Sequence, residues 1–221
     1  GLPVEEPYLL EMVEKQRELK RLKFSADIES SIIDSDYIFI SYDTPVSDAD
    51  ISDLSIIFET ANLIGSTIRE NTTLIITSQL PAGTTDEIVE IINNKSKNKI
   101  KNFAYIPENL KLGQAIERFK NPALPVIGVS ENKVFYDLQI LMSSFSKKWE
   151  KTDILTAEML KHALNTFLSM SVVLANELSD ISEKIGANGQ ELGRLLKLES
   201  RIGQGALTRP GLAFAGGTLA R

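Results

Sequence analysis

The segment Asp36-Tyr37-Ile38-Phe39-Ile40-Ser41-Tyr42-Asp43-Thr44-Pro45 decides the fold of this chain. Its run Tyr37–Tyr42 is apolar, β-branched and aromatic, which is typical of a buried β-strand. Three later runs have the same character: Leu74–Thr77, Phe103–Ile106 and Val126–Val129. Continuous apolar runs of this kind predict strands of a parallel sheet whose two faces are both covered.

Helical patterns separate these strands. Apolar spacing predicts helices at about Leu54–Arg69 and Thr85–Ile92, and Thr84-Thr85-Asp86-Glu87 predicts a capping box at the second of them. The alternation predicts an α/β fold with an incomplete Rossmann-like parallel sheet at about residues 1–131. Such sheets bind ligands beyond the carboxyl ends of their strands, so the informative loops are residues 43–45, 78–85 and 107–113.

From residue 132 to residue 221 the pattern is mainly helical, and it ends in a segment with one proline and three glycines. A short helix is predicted at Phe135–Phe145, one long helix without Gly or Pro at about Ile154–Ile185, and a further helix at Glu191–Leu198. The apolar residues of the long helix occupy more than one stripe, which is typical of a helix in a bundle or a subunit interface. We therefore expect an all-α central domain at residues 132–221 that pairs two copies of the chain.

Composition narrows the possible chemistry. The 221 residues include no cysteine and one histidine, His162, to which we assign no role. Thiolate sites, disulfides and multi-histidine metal sites are thereby excluded, and no metal is predicted. A formal net charge of -6 disfavours nucleic acid as a partner. Neither a membrane-length apolar run nor a signal peptide is recognisable, so we expect a cytoplasmic protein without membrane contact.

Lys161 and Asn165 are the first candidate pair of functional residues. They lie four residues apart, so they share one face of the long helix. Burial disfavours the charged form of an amine, which would suit Lys161 to act as a general base, and the Asn165 amide could position a hydroxyl or a water beside it. The pattern alone favours the alternative, a lysine that extends to solvent beside an asparagine with a local hydrogen bond.

Three loop segments are further candidates. Glu108 follows a predicted strand and could orient a water or sense a cofactor, although most such glutamates are simply exposed. The turn Ser78–Thr84 leads into a helix whose free amides would suit an anion or a polar cofactor edge, or it is an ordinary turn. Arg201 could pair with a phosphate, and Gly216-Gly217 would allow close approach of a ligand, as would a plain linker.

Taken in order, these segments resemble the UDP-glucose/GDP-mannose dehydrogenase family over nearly the whole chain. The motifs that carry the resemblance are Asp36–Pro45, Ser78–Thr84, Pro107–Ile116 with Asn121-Pro122 and Val126–Gly128, Ala157–Leu168 with Asn176–Leu178, and Arg201–Gly203. Each motif is weak by itself. Five of them in the family's order are a specific match.

The resemblance implies a role for each matched residue. NAD would be the cofactor, with NADP left open, and its binding residues would be Thr44, Pro45, Ser78 and Gln79. Lys161, Asn165 and Glu108 would be catalytic. The sugar nucleotide would be bound by Asn109, Leu110, Lys111, Phe214, Gly216, Gly217 and, from the neighbouring subunit of a homodimer, Arg201. The implied activity is the NAD-dependent oxidation of a CH–OH group of a nucleotide sugar, as in polysaccharide biosynthesis.

The departures from the family's pattern concern its catalytic cysteine. Thr218 stands at that position, Arg221 replaces a lysine, Gln79 replaces a threonine, and Leu112 replaces a glutamate. Oxidation of an alcohol to an acid needs a thiolate to trap the aldehyde, and a threonine hydroxyl is a far weaker nucleophile. We therefore expect one two-electron step. We also expect an internal fragment, without the family's glycine-rich unit and C-terminal domain, that is inactive by itself.

Two alternatives of different class stay open. One is a relative of the β-hydroxyacid dehydrogenases, which also carry a lysine and an asparagine one helical turn apart and act on small hydroxy acids. The other is a non-catalytic, NAD-binding protein that dimerises. Replacing Lys161 distinguishes them from each other, because a pure binder has no turnover to lose.

Overall fold

The computed structural model describes residues 4–49, 51–97, 99–146 and 148–214. In chain order its elements are α1 (Leu9–Glu18), α2 (Ile28–Ile32), β1 (Tyr37–Ile40), α3 (Ser55–Thr67), β2 (Thr73–Ile76), α4 (Thr84–Lys95), β3 (Phe103–Tyr105), α5 (Ala115–Lys120), β4 (Val126–Val129), α6 (Asn132–Leu141), β5 (Glu150–Thr152), α7 (Ile154–Ile185) and α8 (Gly189–Leu196). They form two compact units: residues 1–47 with 52–161, and residues 48–51 with 162–221.

The first unit is built on a five-stranded sheet in which the strands follow one another in sequence order. β1, β2 and β3 are parallel, which confirms the predicted α/β fold. Two features differ from the prediction: β4 runs antiparallel to β3, and the unpredicted strand β5, which lies in the range 132–221 predicted to be all α, runs parallel to β4. The connection from β3 to β4 contains only the six-residue helix α5, too short to serve as a crossover helix over the sheet.

Both faces of this sheet are covered. On one face the fully buried residues Ile57 and Ile64 of α3 and Ile88 and Ile92 of α4 pack against the strands. On the other face α6 and Trp149 pack against Ile75, Ala104 and Ile127. Burying one large aliphatic side chain stabilises the fold by about 1.5–3 kcal/mol, so these two layers hold the strand ends in fixed positions.

The predicted capping box at the start of α4 is wrong. Gly83 is the N-cap residue, in the left-handed conformation with φ +96°, and no side chain caps the helix locally. The Thr84 hydroxyl instead donates to Pro81 O at 2.7 Å. The helix therefore begins one residue earlier than predicted, and its amides are satisfied from elsewhere in the chain.

The second unit consists of residues 48–51, the later part of α7, the helix α8 and the segment after it. The predicted long helix is confirmed at Ile154–Ile185, and it ends at Gly186, whose φ of +79° favours glycine. Asn188 caps α8 by accepting from Glu191 N at 3.0 Å. The Asn176 side chain holds the returning segment, since it accepts from Gly211 N at 2.8 Å and donates to Leu212 O at 3.1 Å.

Two findings bear on the predicted absences. None of the helices in the described ranges is long and apolar enough to cross a membrane. Over the same ranges, no three acidic or histidine side chains cluster in a way that could hold a metal ion.

Candidate active site

The carboxyl ends of β1, β2 and β3 open into one cavity of about 550 Å³. Ser41 follows β1, Thr77 follows β2, and the segment 106–110 follows β3; all of them line it. Its remaining walls are mostly apolar and include Phe119, Met142 and Trp149. An apolar cavity with a few polar groups at the strand ends is the ordinary form of a ligand site in an α/β protein.

The loop after β2 is tied to both neighbouring strands. The fully buried Thr44 donates its hydroxyl to Gln79 O at 2.7 Å, and the Tyr105 hydroxyl donates to Ser78 O at 3.0 Å. Burial, followed by the negative charges of Glu158 and Glu108, raises the pKa of Tyr105 far above its ordinary value. Tyr105 therefore stays protonated and remains a donor at any physiological pH.

Two polar side-chain atoms beside these loops have no hydrogen-bond partner. Within the part of the chain that the structure describes, Ser78 Oγ and Asn109 Nδ2 are buried and unpaired. A buried unpaired polar group costs about 1–3 kcal/mol, and a bound ligand can relieve that cost. Ser78 lies in the loop predicted to hold NAD, so the orphaned hydroxyl fits a polar cofactor there.

Lys161 lies at the loop that follows β3. Its Nζ donates to Asn109 Oδ1 at 3.0 Å, and its side chain is half-buried. The amine therefore lies against the segment 106–110 and does not extend freely into bulk water. Asn165 follows one turn later on α7 and is buried, with 6% of its surface exposed.

Glu158 is the most completely buried carboxylate of this region. Its side chain comes from the first turns of α7 and accepts three hydrogen bonds at the start of α4. Oε2 accepts from Gly83 N at 2.6 Å, and Oε1 accepts from Thr85 N at 2.9 Å and from the Thr85 hydroxyl at 2.6 Å. The amides of Gly83 and Thr85, at the place predicted to offer free amides to an anion or a polar cofactor edge, are thus occupied by a carboxylate of the chain itself, and for these two amides the prediction is wrong.

The remaining predicted site residues of the first unit lie on its surface or at the cavity. Glu108 and Leu110 line the cavity and are exposed, whereas Lys111 and Pro45 are exposed outside it. In the second unit, Arg201 is exposed and pairs with Glu199 at 3.1 Å, and Phe214 is half-buried. Three predicted site residues, Gly216, Gly217 and Thr218, lie outside the described residues.

Two residues of the site were given no role from the sequence. Glu158 carried a usable signal, because an acidic residue in an apolar helical stretch, three residues before a candidate base, needs buried donors. Tyr105 carried none. An aromatic residue in a buried strand is ordinary, and its hydroxyl contact with Ser78 depends on the pairing of β3 with β2.

Comparison with known families identifies the fold and the site region together. Residues 1–146 match the model described as UDP-glucose/GDP-mannose dehydrogenase family, NAD binding domain, and residues 155–221 match the model of the same family's central domain. The chain belongs to the UDP-glucose/GDP-mannose dehydrogenase family. The predicted cofactor, NAD, is confirmed, because the matched domain is the NAD binding domain of this family.

Individual relatives agree with this assignment. UDP-glucose 6-dehydrogenase TuaD of Bacillus subtilis is 33% identical over 217 residues, which are 97% of this chain and 47% of that protein. The UDP-glucose dehydrogenase of Pyrobaculum islandicum superposes with a TM-score of 0.84 at 25% identity, covering 92% of this chain and 48% of that one. GDP-mannose dehydrogenase of Pseudomonas aeruginosa gives 0.84 at 26% identity, with 97% and 51% covered.

The matched relatives are longer proteins than this chain. It spans about half the length of the curated dehydrogenases it matches. The family and the fold are therefore established for these residues. The activity, the substrate and the partners are properties of a whole protein of the family.

Proposed function

We propose that the full-length protein carrying this chain oxidises one CH–OH group of a nucleotide sugar in a single NAD-dependent, two-electron step. The observation that carries the proposal is the Lys161 amine, held 3.0 Å from Asn109 Oδ1 beside a cavity at the strand ends. An amine at that place can take the proton of a substrate hydroxyl. We do not expect the 221 residues by themselves to be active, because relatives use about twice this length.

The chain's own residues would share the chemistry between them. Lys161 Nζ takes the hydroxyl proton as the C–O bond becomes a carbonyl. Asn165, one turn further along α7, holds the hydroxyl in place, and Glu108 orients substrate or water at the mouth of the cavity. The loop residues Thr44, Pro45, Ser78 and Gln79 hold NAD, which when bound accepts the hydride that leaves the same carbon.

The sugar nucleotide would be bound by a second group of residues. We assign this role to Asn109, Leu110 and Lys111 and to the segment of Phe214, Gly216 and Gly217. The unpaired, buried Asn109 Nδ2 supports the first group, since it is a donor free to meet a substrate oxygen. The division into a cofactor domain at residues 1–131 and a dimerisation domain at residues 132–221, and the cytoplasmic location, stay predictions.

Thr218 at the cysteine position supports the restriction to two electrons. A second oxidation needs a covalent adduct with the aldehyde, and a hydroxyl without an activating base forms such an adduct far less readily than a thiolate does. The carbonyl product is then released after one hydride transfer.

We expect one NADH for each sugar nucleotide consumed, with a carbonyl product. The experiment follows the full-length protein with UDP-glucose and with GDP-mannose, and measures NADH by absorbance and the product by mass spectrometry. Thr218→Val is the matched control, because it keeps the shape and removes the hydroxyl, and it should leave kcat nearly unchanged. Two NADH per sugar with an acid product would refute the one-step proposal.

We further propose that α7 pairs two copies of the protein. Besides Leu155 and Val173, five large apolar residues of α7 are more than half exposed: Phe167, Met170, Leu174, Ile181 and Ile185. Their spacing of three, four, seven and four residues places them along one face of the helix. An exposed apolar stripe of this length supports a protein–protein interface. The exposed Arg201 would then contribute to the neighbouring copy's sugar nucleotide.

The double variant Phe167→Glu with Leu174→Glu should be monomeric, because it would bury two unpaired charges in the interface. Light scattering coupled to gel filtration gives the mass. The matched control is Tyr136→Glu with Ile140→Glu, an equally exposed apolar pair on α6. A dimer that survives the α7 variant and dissociates in the α6 variant would place the interface elsewhere.

A further inference from the structure

We propose that Glu158 is a positioning residue for the reaction. Its carboxylate ties the first turns of α7 to the start of α4, and this tie sets where Lys161 stands relative to the cofactor loop 78–85. The inference rests on the proposed function and adds to it a residue that touches neither substrate nor cofactor. It acts through Lys161.

The contact between the Glu158 carboxylate and the start of α4 is buried and held by three hydrogen bonds. Glu158 and Thr85 are both fully buried, and the three hydrogen bonds to the Glu158 carboxylate are between 2.6 and 2.9 Å long. A carboxylate removed from water needs several strong donors, and here two amides and a hydroxyl supply them. The positive end of the helix α4 adds to the attraction.

The contact of Glu158 with the start of α4 connects two elements that are remote in the sequence. Gly83 and Thr85 precede Glu158 by 75 and 73 residues. The residue that usually stands at the N-cap position, here residue 83, is serine, threonine, asparagine or aspartate, whose side chain caps the helix locally. Glycine stands there instead, and the cap comes from α7. A helix cap that is supplied across the fold stabilises α4 and, in addition, fixes the distance between α4 and α7.

Both partners of this contact, Glu158 and the start of α4, adjoin residues of the proposed site. On α7, Lys161 follows Glu158 by three residues, so the two side chains start from neighbouring points of the helix surface. At the start of α4, the loop that contains Gly83 begins at Ser78, the residue with the orphaned hydroxyl. A shift of α7 against α4 would therefore move the proposed base relative to the proposed cofactor loop.

The test is Glu158→Gln in the full-length protein. The glutamine amide can still accept from Thr85, but it places an NH₂ group against Gly83 N and removes the charge. We expect kcat to fall about 10- to 100-fold, the loss typical of a base misplaced by about 1 Å, while the KM values for NAD and UDP-glucose stay near those of the wild type. Glu87→Gln is the matched control, because it removes an exposed carboxylate from the same turn of α4.

The split between kcat and KM separates positioning from a merely structural role. An unchanged kcat in Glu158→Gln, or a raised KM for NAD with kcat retained, would overturn the inference. Should Glu158→Gln fail to fold, Thr85→Val decides, since it removes one of the three donors at constant shape: a lowered kcat supports positioning and an unchanged kcat contradicts it. A wild-type protein without NAD-linked turnover would overturn the proposed function itself, and this inference with it.

Discussion

Lys161→Met in the full-length protein should lower kcat about 100- to 10,000-fold, the range that removal of a general base or acid usually produces. Methionine keeps the unbranched apolar stem of lysine and deletes the amine, so the packing of α7 is preserved. The hydrogen bond to Asn109 Oδ1 is lost, but that oxygen can bind water at the cavity. Steady-state NADH formation with saturating UDP-glucose measures the effect.

Two controls make this prediction specific to the amine at the site. Lys133→Met removes an exposed lysine of α6 in the same unit and should leave kcat unchanged. Calorimetry of UDP-glucose binding to Lys161→Met should give nearly the wild-type affinity, because a base contributes to the transition state more than to substrate binding. Full turnover by Lys161→Met would remove Lys161 from the mechanism and favour another base.

The strands and the long helix were predictable because their signals are local. Burial on both faces leaves continuous apolar runs, and three of the four predicted strands differ from β1, β2 and β3 only by one or two residues at their ends. The limits of α7 follow from an apolar run without breakers and from Gly186. The direction of β4 was not predictable, because strand sequences do not encode which neighbour they pair with.

The contacts within the site were harder to predict from the sequence than the identity of its residues. The motifs pointed to Lys161 and Asn109 separately, but their contact depends on how the start of α7 packs on the sheet. The predicted capping box failed for the same reason. A local pattern predicted that the side chains of Thr84 and Glu87 cap the start of α4. Instead, the Thr85 amide donates to a buried carboxylate 73 residues away, which is a stronger acceptor.

The packing of α7 on the sheet depends on one small residue. Gly128 lies in β4, and a Cβ atom added there would stand 2.6 Å from Ala157 Cβ, 2.9 Å from Asp153 O and 3.0 Å from Ile154 Cα. All three belong to the start of α7 or the residue before it. Because two of them are backbone atoms, a side-chain rotation cannot make room, and the helix itself has to move away from the strand.

Gly128→Ala should therefore lower the free energy of unfolding by about 1–3 kcal/mol, although alanine is by itself a better strand residue than glycine. Thermal denaturation of the full-length protein measures the change, and Gly205→Ala, where an added Cβ meets nothing within 4 Å, should leave the melting temperature nearly unchanged. Since Ala157 adjoins Glu158 and precedes Lys161 by one turn, the displaced helix should also lower kcat. A variant as stable and active as the wild type would show that α7 tolerates a wider gap to the sheet than these distances indicate.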